Sequence, residues 1–153
     1  MPDIFISYSN RDQKFADFVH RHLALEGLDV FMASASLRPG SQWSPEIKAN
    51  LITCSWVLFL ASKAACQSAY VQQELGMALG ANKRIVPIVW DIDPSQLPGW
   101  MKQFHALNLR NTTPMQIQSS IAAIARRIKS DKLQGQIIGA MLLAGLVYLA
   151  TRE

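Results

Sequence analysis

The segment Trp56-Val57-Leu58-Phe59-Leu60 lies near the middle of the chain and contains only apolar residues. A strand that is apolar at every position is typical of the centre of a parallel sheet, where helices cover both faces. The run Ile4-Phe5-Ile6 has the same character, and weaker strand signals follow at 28–32, 85–89 and 107–109. The sequence therefore predicts five short strands, with 56–60 in the centre of the sheet.

Segments with helical spacing separate these strands. Asn10 is a predicted helix cap with Gln13 at the capping-box position, Gly27 ends that helix, and Ser44-Pro45 begins the next one. The residues predicted to face the core are Phe15, Phe18, Val19 and Leu23, then Ile47 and Leu51, then Val71, Leu75, Ala78 and Leu79, and finally Ile117, Ile121, Ile124 and Ile128. Alternating strands and helices predict an α/β fold, a flavodoxin-like five-stranded parallel sheet of order 2-1-3-4-5 flanked by helices.

Composition limits the class of protein. The chain has 153 residues, of which 50% are hydrophobic and 17% charged, so one globular domain is expected and a disordered chain is excluded. The net charge of +4 is mild, and we predict no nucleic-acid partner. Two cysteines without CxxC spacing, and no secretory leader at the N-terminus, favour a reducing, cytoplasmic location.

The C-terminal segment is unusually apolar. Residues 137–150 read IIGAMLLAGLVYLA, which as a helix spans about 21 Å, and extension back to Leu133 gives about 27 Å against a hydrocarbon core of roughly 30 Å. We therefore predict a domain over 1–132 and a hydrophobic helix over 133–153. This helix has three interpretations: an anchor that spans the membrane through 133–150 and holds the domain at its inner face, a core helix, or an oligomerisation helix.

The predicted carboxyl edge of the sheet is rich in hydroxyl groups. Ser7-Tyr8-Ser9 follows the first strand, and Ser68 lies beyond the third. Glu74, one of four glutamates, lies in the helix that begins after Ser68, and Tyr70 shares its face four residues earlier. Helical side chains lean toward the N-terminus of their helix, so the Glu74 carboxylate is expected to reach the crevice at this edge. The alternative is an ordinary solvated glutamate.

One carboxylate beside an aromatic ring suits cleavage of an N-glycosidic bond such as that of NAD+. The nicotinamide begins as a cation and leaves as a neutral ring, so no general acid is needed, unlike in ordinary glycosidases. A single acid then holds the ribose and stabilises the positive charge that develops on it.

Several blocks resemble the signature segments of the Toll/interleukin-1 receptor (TIR) domain family, particularly its bacterial members. They are 3–9, DIFISYS; 28–31, LDVF; 37–43, LRPGSQW, similar to the BB loop; 68–75, SAYVQQEL; and 85–88, IVPI. The resemblance covers about residues 3–130.

The resemblance implies an NAD+ glycohydrolase or ADP-ribosyl cyclase in bacterial antiphage defence or signalling, with Glu74 as the catalytic residue. It also implies assembly through contacts between TIR domains of identical subunits, on which activity depends. NAD+ is the substrate, and neither a cofactor nor a metal is predicted. The candidate substrate-binding residues are Ser7, Tyr8, Ser9, Arg38, Trp43, Ser68 and Tyr70.

Two departures from the family pattern keep other functions open. Tyr70 stands where the family usually has Trp, and Ala33 stands where many active members have an acid. The first alternative is a TIR scaffold that assembles without catalysis. The second is an enzyme similar to nucleoside deoxyribosyltransferases, which also use a glutamate on a sugar.

Overall fold

The computed structural model describes residues 2–34 and 45–150, with the backbone alone at 33, 34, 70 and 145–150. The strands are β1 (Ile4–Tyr8), β2 (Val30–Ser34), β3 (Trp56–Leu60), β4 (Arg84–Val89) and β5 (Leu107–Asn108). All neighbours are parallel, in the order β2-β1-β3-β4-β5. The structure thus confirms the predicted fold class.

β3 has the predicted bounds, β1, β4 and β5 differ from theirs by one or two residues at one end, and β2 is displaced by two residues. β2 begins at Val30 rather than at residue 28, because the Asp29 carbonyl accepts hydrogen bonds from the backbone of Asp3 and Ile4 and the ladder starts at the pair Ile4–Val30. β4 runs through Pro87 without interruption, and its pairing with β5 begins only at Ile88. The missing N–H of Pro87 is therefore tolerated within this strand.

The helices alternate with the strands. They are α1 (Gln13–Leu25), α2 (Pro45–Thr53), α3 (Lys63–Cys66), α4 (Ala69–Gly80) and α5 (Pro114–Ala150). The predicted Asn10 cap is wrong, because residues 10–12 form a 3-10 turn and the Ser9 hydroxyl accepts from the backbone of Arg11. Gly27 follows α1 at φ +84°, a conformation that favours glycine, as its predicted C′ role requires. The short helix α3 was not predicted.

Apolar side chains cover both faces of the sheet. On one face, Phe5 and Phe59 pack in a cluster with Leu51 of α2 and with Val71 and Leu75 of α4. On the other face, strand residues pack against α1 and α5, through Ile6, Leu58 and Leu60 in the sheet and Val19, Leu23, Ile121 and Ile128 in the helices. The predicted core stripes are buried or partly buried, except that Leu79 is exposed.

Helix α5 continues through residue 132, where we placed a boundary. Among the residues of α5 up to Ala144, Ile128 is the last that is buried. Ion pairs of Asp131 with Arg84 and of Lys132 with Asp3 attach the next turn to the domain. Within residues 2–34 and 45–150, no helix has the length and apolar composition needed to cross a membrane. The membrane-spanning interpretation of 133–150 is therefore not supported.

Candidate functional site at the carboxyl edge of the sheet

Glu74 is enclosed by the fold. It lies in the second turn of α4, whose N-terminus is capped by Ser68 through a 3.3 Å hydrogen bond from the Val71 amide to the Ser68 hydroxyl. Only 1% of Glu74 is exposed, although its helical neighbours Gln73 and Gly76 lie at the surface. The interpretation of Glu74 as a solvated helix residue is therefore wrong.

Ser7 lies on the same side of the sheet as α4. Side chains alternate along a strand, so Ser7 shares the face of Phe5, which packs in the cluster that contains Val71 and Leu75. Ser7 is fully buried at the carboxyl end of β1, between Ala33 of β2 and Phe59 of β3. Among the described residues, its hydroxyl has no hydrogen-bond partner. Such a buried hydroxyl costs about 1–3 kcal/mol and would gain from a polar ligand.

The other candidate residues divide between this face and the rest of the molecule. Tyr8 points to the opposite face, where its hydroxyl donates to Gln13 at 3.2 Å, so a ligand beside Glu74 would meet its backbone. Ser9 and Ser68 cap their helices. Tyr70 is in the first turn of α4, but its side chain is not described. Arg38 and Trp43 lie outside the described residues.

A pair that the sequence analysis missed joins β1 to β3 at the same edge. The Ser62 hydroxyl, which caps α3, donates a short hydrogen bond to the Asp12 carboxylate. Burial raises the pKa of Asp12 above its usual value, and the charge of Asp91 raises it further, whereas the hydrogen bond from Ser62 lowers it. The signal was available, because Asp12 and Ser62 follow strands that are neighbours in the predicted order.

The Asp12 pKa shift makes stability depend on pH. The folded state binds a proton on the Asp12 carboxylate more tightly than the unfolded state does. The contribution of Asp12 to the free energy of unfolding is therefore greatest at acid pH and falls as pH rises through the pKa of the folded state. We expect Asp12→Asn, which can still accept from Ser62, to gain stability relative to wild type between about pH 3.5 and pH 7. Urea unfolding across this range measures the difference. If the two proteins differed in stability by the same amount at the acid end and at the neutral end of this range, the raised pKa of Asp12 would be contradicted.

The aspartates after β4 belong to a turn. Asp93 caps the 3-10 turn Pro94–Gln96, and the hydrogen bond from the Ser95 amide is the main cause of its lowered pKa. Asp91 accepts from the Lys63 amide at 3.2 Å. Within residues 2–34 and 45–150, no cluster of His, Cys, Asp and Glu could hold a metal ion.

Two cavities lie away from Glu74. One, of about 440 Å³, opens beside Lys63, Cys66, Gln67 and Asp91 on the β4 side of the carboxyl edge. The other, of about 470 Å³, lies at the opposite edge beside Trp56, where both cations, Arg84 and Lys132, already pair with aspartates. The chemistry therefore favours the Glu74 side, where a buried carboxylate and a buried hydroxyl share one face.

A curated relative matches part of this chain. A probable 2′ cyclic ADP-D-ribose synthase from Brachypodium distachyon is 33% identical over 97 residues, which are 62% of this chain and 43% of the relative. The chain thus spans less than half the length of that relative.

Solved structures show the same fold. The TIR domain of the Toll-related receptor TRR-2 from Hydra magnipapillata has a TM-score of 0.67 at 15% identity, covering 84% of this chain and 99% of that domain. The TIR domains of the activated Roq1 resistosome, which recognises the pathogen effector XopQ, have a TM-score of 0.63 at 19% identity. This match covers 86% of this chain and 99% of that chain. The TIR domain family model matches residues 4–124. With its sheet order and this match, the chain belongs to the TIR domain family.

Proposed function

We propose that this chain cleaves the bond between nicotinamide and ribose in NAD+, with Glu74 as the catalytic residue. The observation that carries the proposal is the burial of Glu74 on the same face as Ser7 at the carboxyl edge, where open α/β sheets bind their ligands. The name of the Brachypodium relative, a cyclic ADP-ribose synthase, supports the same substrate.

The reaction needs little from the protein beyond charge and position. The bond between C1′ of the ribose and the ring nitrogen breaks, and its electron pair neutralises the nicotinamide cation. The positive charge then spreads over the ribose, where a buried carboxylate stabilises it more strongly than one in water. Attack at C1′ by water gives ADP-ribose, and attack by a hydroxyl of the same nucleotide gives a cyclic product. Either attack releases one proton.

The neighbouring groups have proposed supporting roles. The buried Ser7 hydroxyl can donate to a ribose hydroxyl, and Ser9, Ser68 and the Tyr8 backbone line the same edge. Tyr70, Arg38 and Trp43 complete the proposed substrate-binding set. We further propose that activity depends on contacts between TIR domains of several copies and serves bacterial antiphage defence or signalling.

Incubation of the 153-residue chain with NAD+, followed by chromatography, tests the proposal. We expect equimolar loss of NAD+ and release of nicotinamide, with the second product separating as linear or cyclic ADP-ribose. Parallel reactions with deoxynucleosides should show no exchange of bases. Turnover of deoxynucleosides without loss of NAD+ would instead select the deoxyribosyltransferase-like alternative.

A second candidate function, assembly without catalysis, is favoured by one position. Ala33 is the β2 partner of Ser7 in the ladder, and alanine offers no carboxylate to a nucleotide there. Concentration-dependent assembly with no nicotinamide release, in the assembled fraction as well as in the dilute protein, would select this function.

A further inference from the structure

Within residues 2–34 and 45–150, no other element covers the distal half of α5, from Leu133 to Ala144. From Leu133 to Ala144 every residue is exposed except Gly139, which is partly exposed. Leu133, Ile137 and Met141 follow one another at intervals of four, which places them in one row along the helix. They are 57%, 47% and 70% exposed, and Ile138 and Leu142 form an adjacent row at 58% and 65%.

These two rows, which we call the distal face, form a broad apolar surface beyond the part of α5 that packs on the domain. A helix of this kind is stable in water only when its apolar face packs against another element. Soluble monomers rarely leave large continuous apolar patches uncovered. The distal face therefore needs a partner.

Charge limits what that partner can be. No Asp, Glu, Lys or Arg occurs between Leu133 and Thr151, so the distal face offers nothing to a charged surface. A complementary partner must be equally apolar and uncharged, and a second copy of this chain carries such a surface. Two-fold pairs, in which one patch meets itself, are also the commonest closed assemblies.

The charges at the base of the distal half favour one orientation. Arg126, Arg127, Lys129 and Lys132 precede it and are exposed. Lys129 pairs with Glu26, Lys132 with Asp3 and Asp131 with Arg84. The base therefore keeps a net positive charge. A parallel pair would bring these cationic bases side by side. An antiparallel pair over 133–150 separates them by about 27 Å, well beyond the screening length of roughly 8 Å in physiological salt.

We propose that two copies of this chain associate through the distal faces of α5, packed as an antiparallel pair of helices. Gly135 and Gly139 assist the close approach, because there is open space where their side chains would be. This contact is separate from the carboxyl edge, and it does not depend on the proposed catalytic activity.

Sedimentation of the 153-residue chain from about 1 to 200 μM tests this association. We expect the wild-type chain to form a dimer. Met141→Glu should raise the dissociation constant of this dimer by at least about 100-fold, because a carboxylate would be buried in an apolar contact. Met115→Glu is the matched control, since Met115 lies on the same helix, is 76% exposed and is far from the distal face. A wild-type monomer throughout, or equal association of Met141→Glu and wild type, would overturn the proposal. Monomers that instead bind vesicles of anionic lipid would overturn it in favour of a lipid surface.

Disulfide trapping tests the orientation. Met141 lies near the midpoint of 133–150, so Met141→Cys should cross-link rapidly in an antiparallel pair, whereas Leu133→Cys should not, because its copies are too far apart for a disulfide. Preferential cross-linking of Leu133→Cys would overturn the antiparallel arrangement. The native thiols give little background, because burial raises the pKa of both Cys54 and Cys66 to about 11.

Discussion

Replacement of Glu74 by Gln is expected to lower the rate of NAD+ cleavage by about 10²- to 10³-fold or more. The amide keeps the size and planarity of the carboxylate but cannot supply the negative charge that stabilises a cationic ribose. Because Glu74 is only 1% exposed, no water layer screens that charge, and its loss should act on kcat more than on KM. Release of nicotinamide, followed by chromatography, measures the effect.

The matched control is Glu26→Gln. Glu26 lies at the end of α1 in an exposed ion pair with Lys129, 3.6 Å away, and such pairs contribute little to stability. This variant should cleave NAD+ as fast as wild type. Wild type and Glu74→Gln must also have the same melting temperature and oligomeric state. A lower rate of NAD+ cleavage can then be assigned to the chemical step. Unchanged cleavage by folded Glu74→Gln would refute the catalytic assignment.

The largest effect on stability is expected from Leu58→Ala. Leu58 is fully buried in the middle of β3, where it pairs with Ile6 of β1 and Val86 of β4 and packs beneath α1 and α5. Truncation removes buried surface and leaves a cavity that the flanking strands cannot close. We expect a loss of about 2–5 kcal/mol in the free energy of unfolding, measured by urea titration.

Leu25→Ala makes the same chemical change on the surface. Leu25 is 77% exposed at the end of α1, so its truncation should alter the free energy of unfolding by less than about 0.5 kcal/mol. Equal losses for the two variants would mean that β3 is not the packed centre of this fold.

The sheet was predictable because its strongest signal is local. A run that is apolar at every position has few alternatives to a central parallel strand, and β3 has the predicted bounds. β2 was displaced by two residues because its start depends on hydrogen bonds to Asp29 from Asp3 and Ile4, which apolar patterning does not encode. The distal half of α5 was predicted as a helix. Where the domain ends along that helix depends on the distant partners of Asp131 and Lys132.

The candidate site was predictable to a smaller extent. The positions of Glu74 and Ser7 relative to the predicted strands place both at the carboxyl edge of the sheet. Only the packing of the structure shows that Glu74 is enclosed and that Tyr8 points to the opposite face of the sheet. The pair formed by Asp12 and Ser62 required a contact across fifty positions of the chain. The predicted strand order brings the two segments together, but propensity and capping rules describe neighbours in sequence and do not predict that these two side chains bond.

The strand order has a consequence for synthesis of the protein. β1 is the first of the five strands to be made, yet its neighbour β3 starts at residue 56, so half of the ladder of β1 is missing until residues 56–60 have been translated. Helix α5, which together with α1 covers the sheet face of Ile4 and Ile6, follows all five strands in the chain. The nascent chain must therefore carry an incompletely covered apolar sheet until residues 114–128 of α5 have been made, a period in which chaperones would protect it from aggregation.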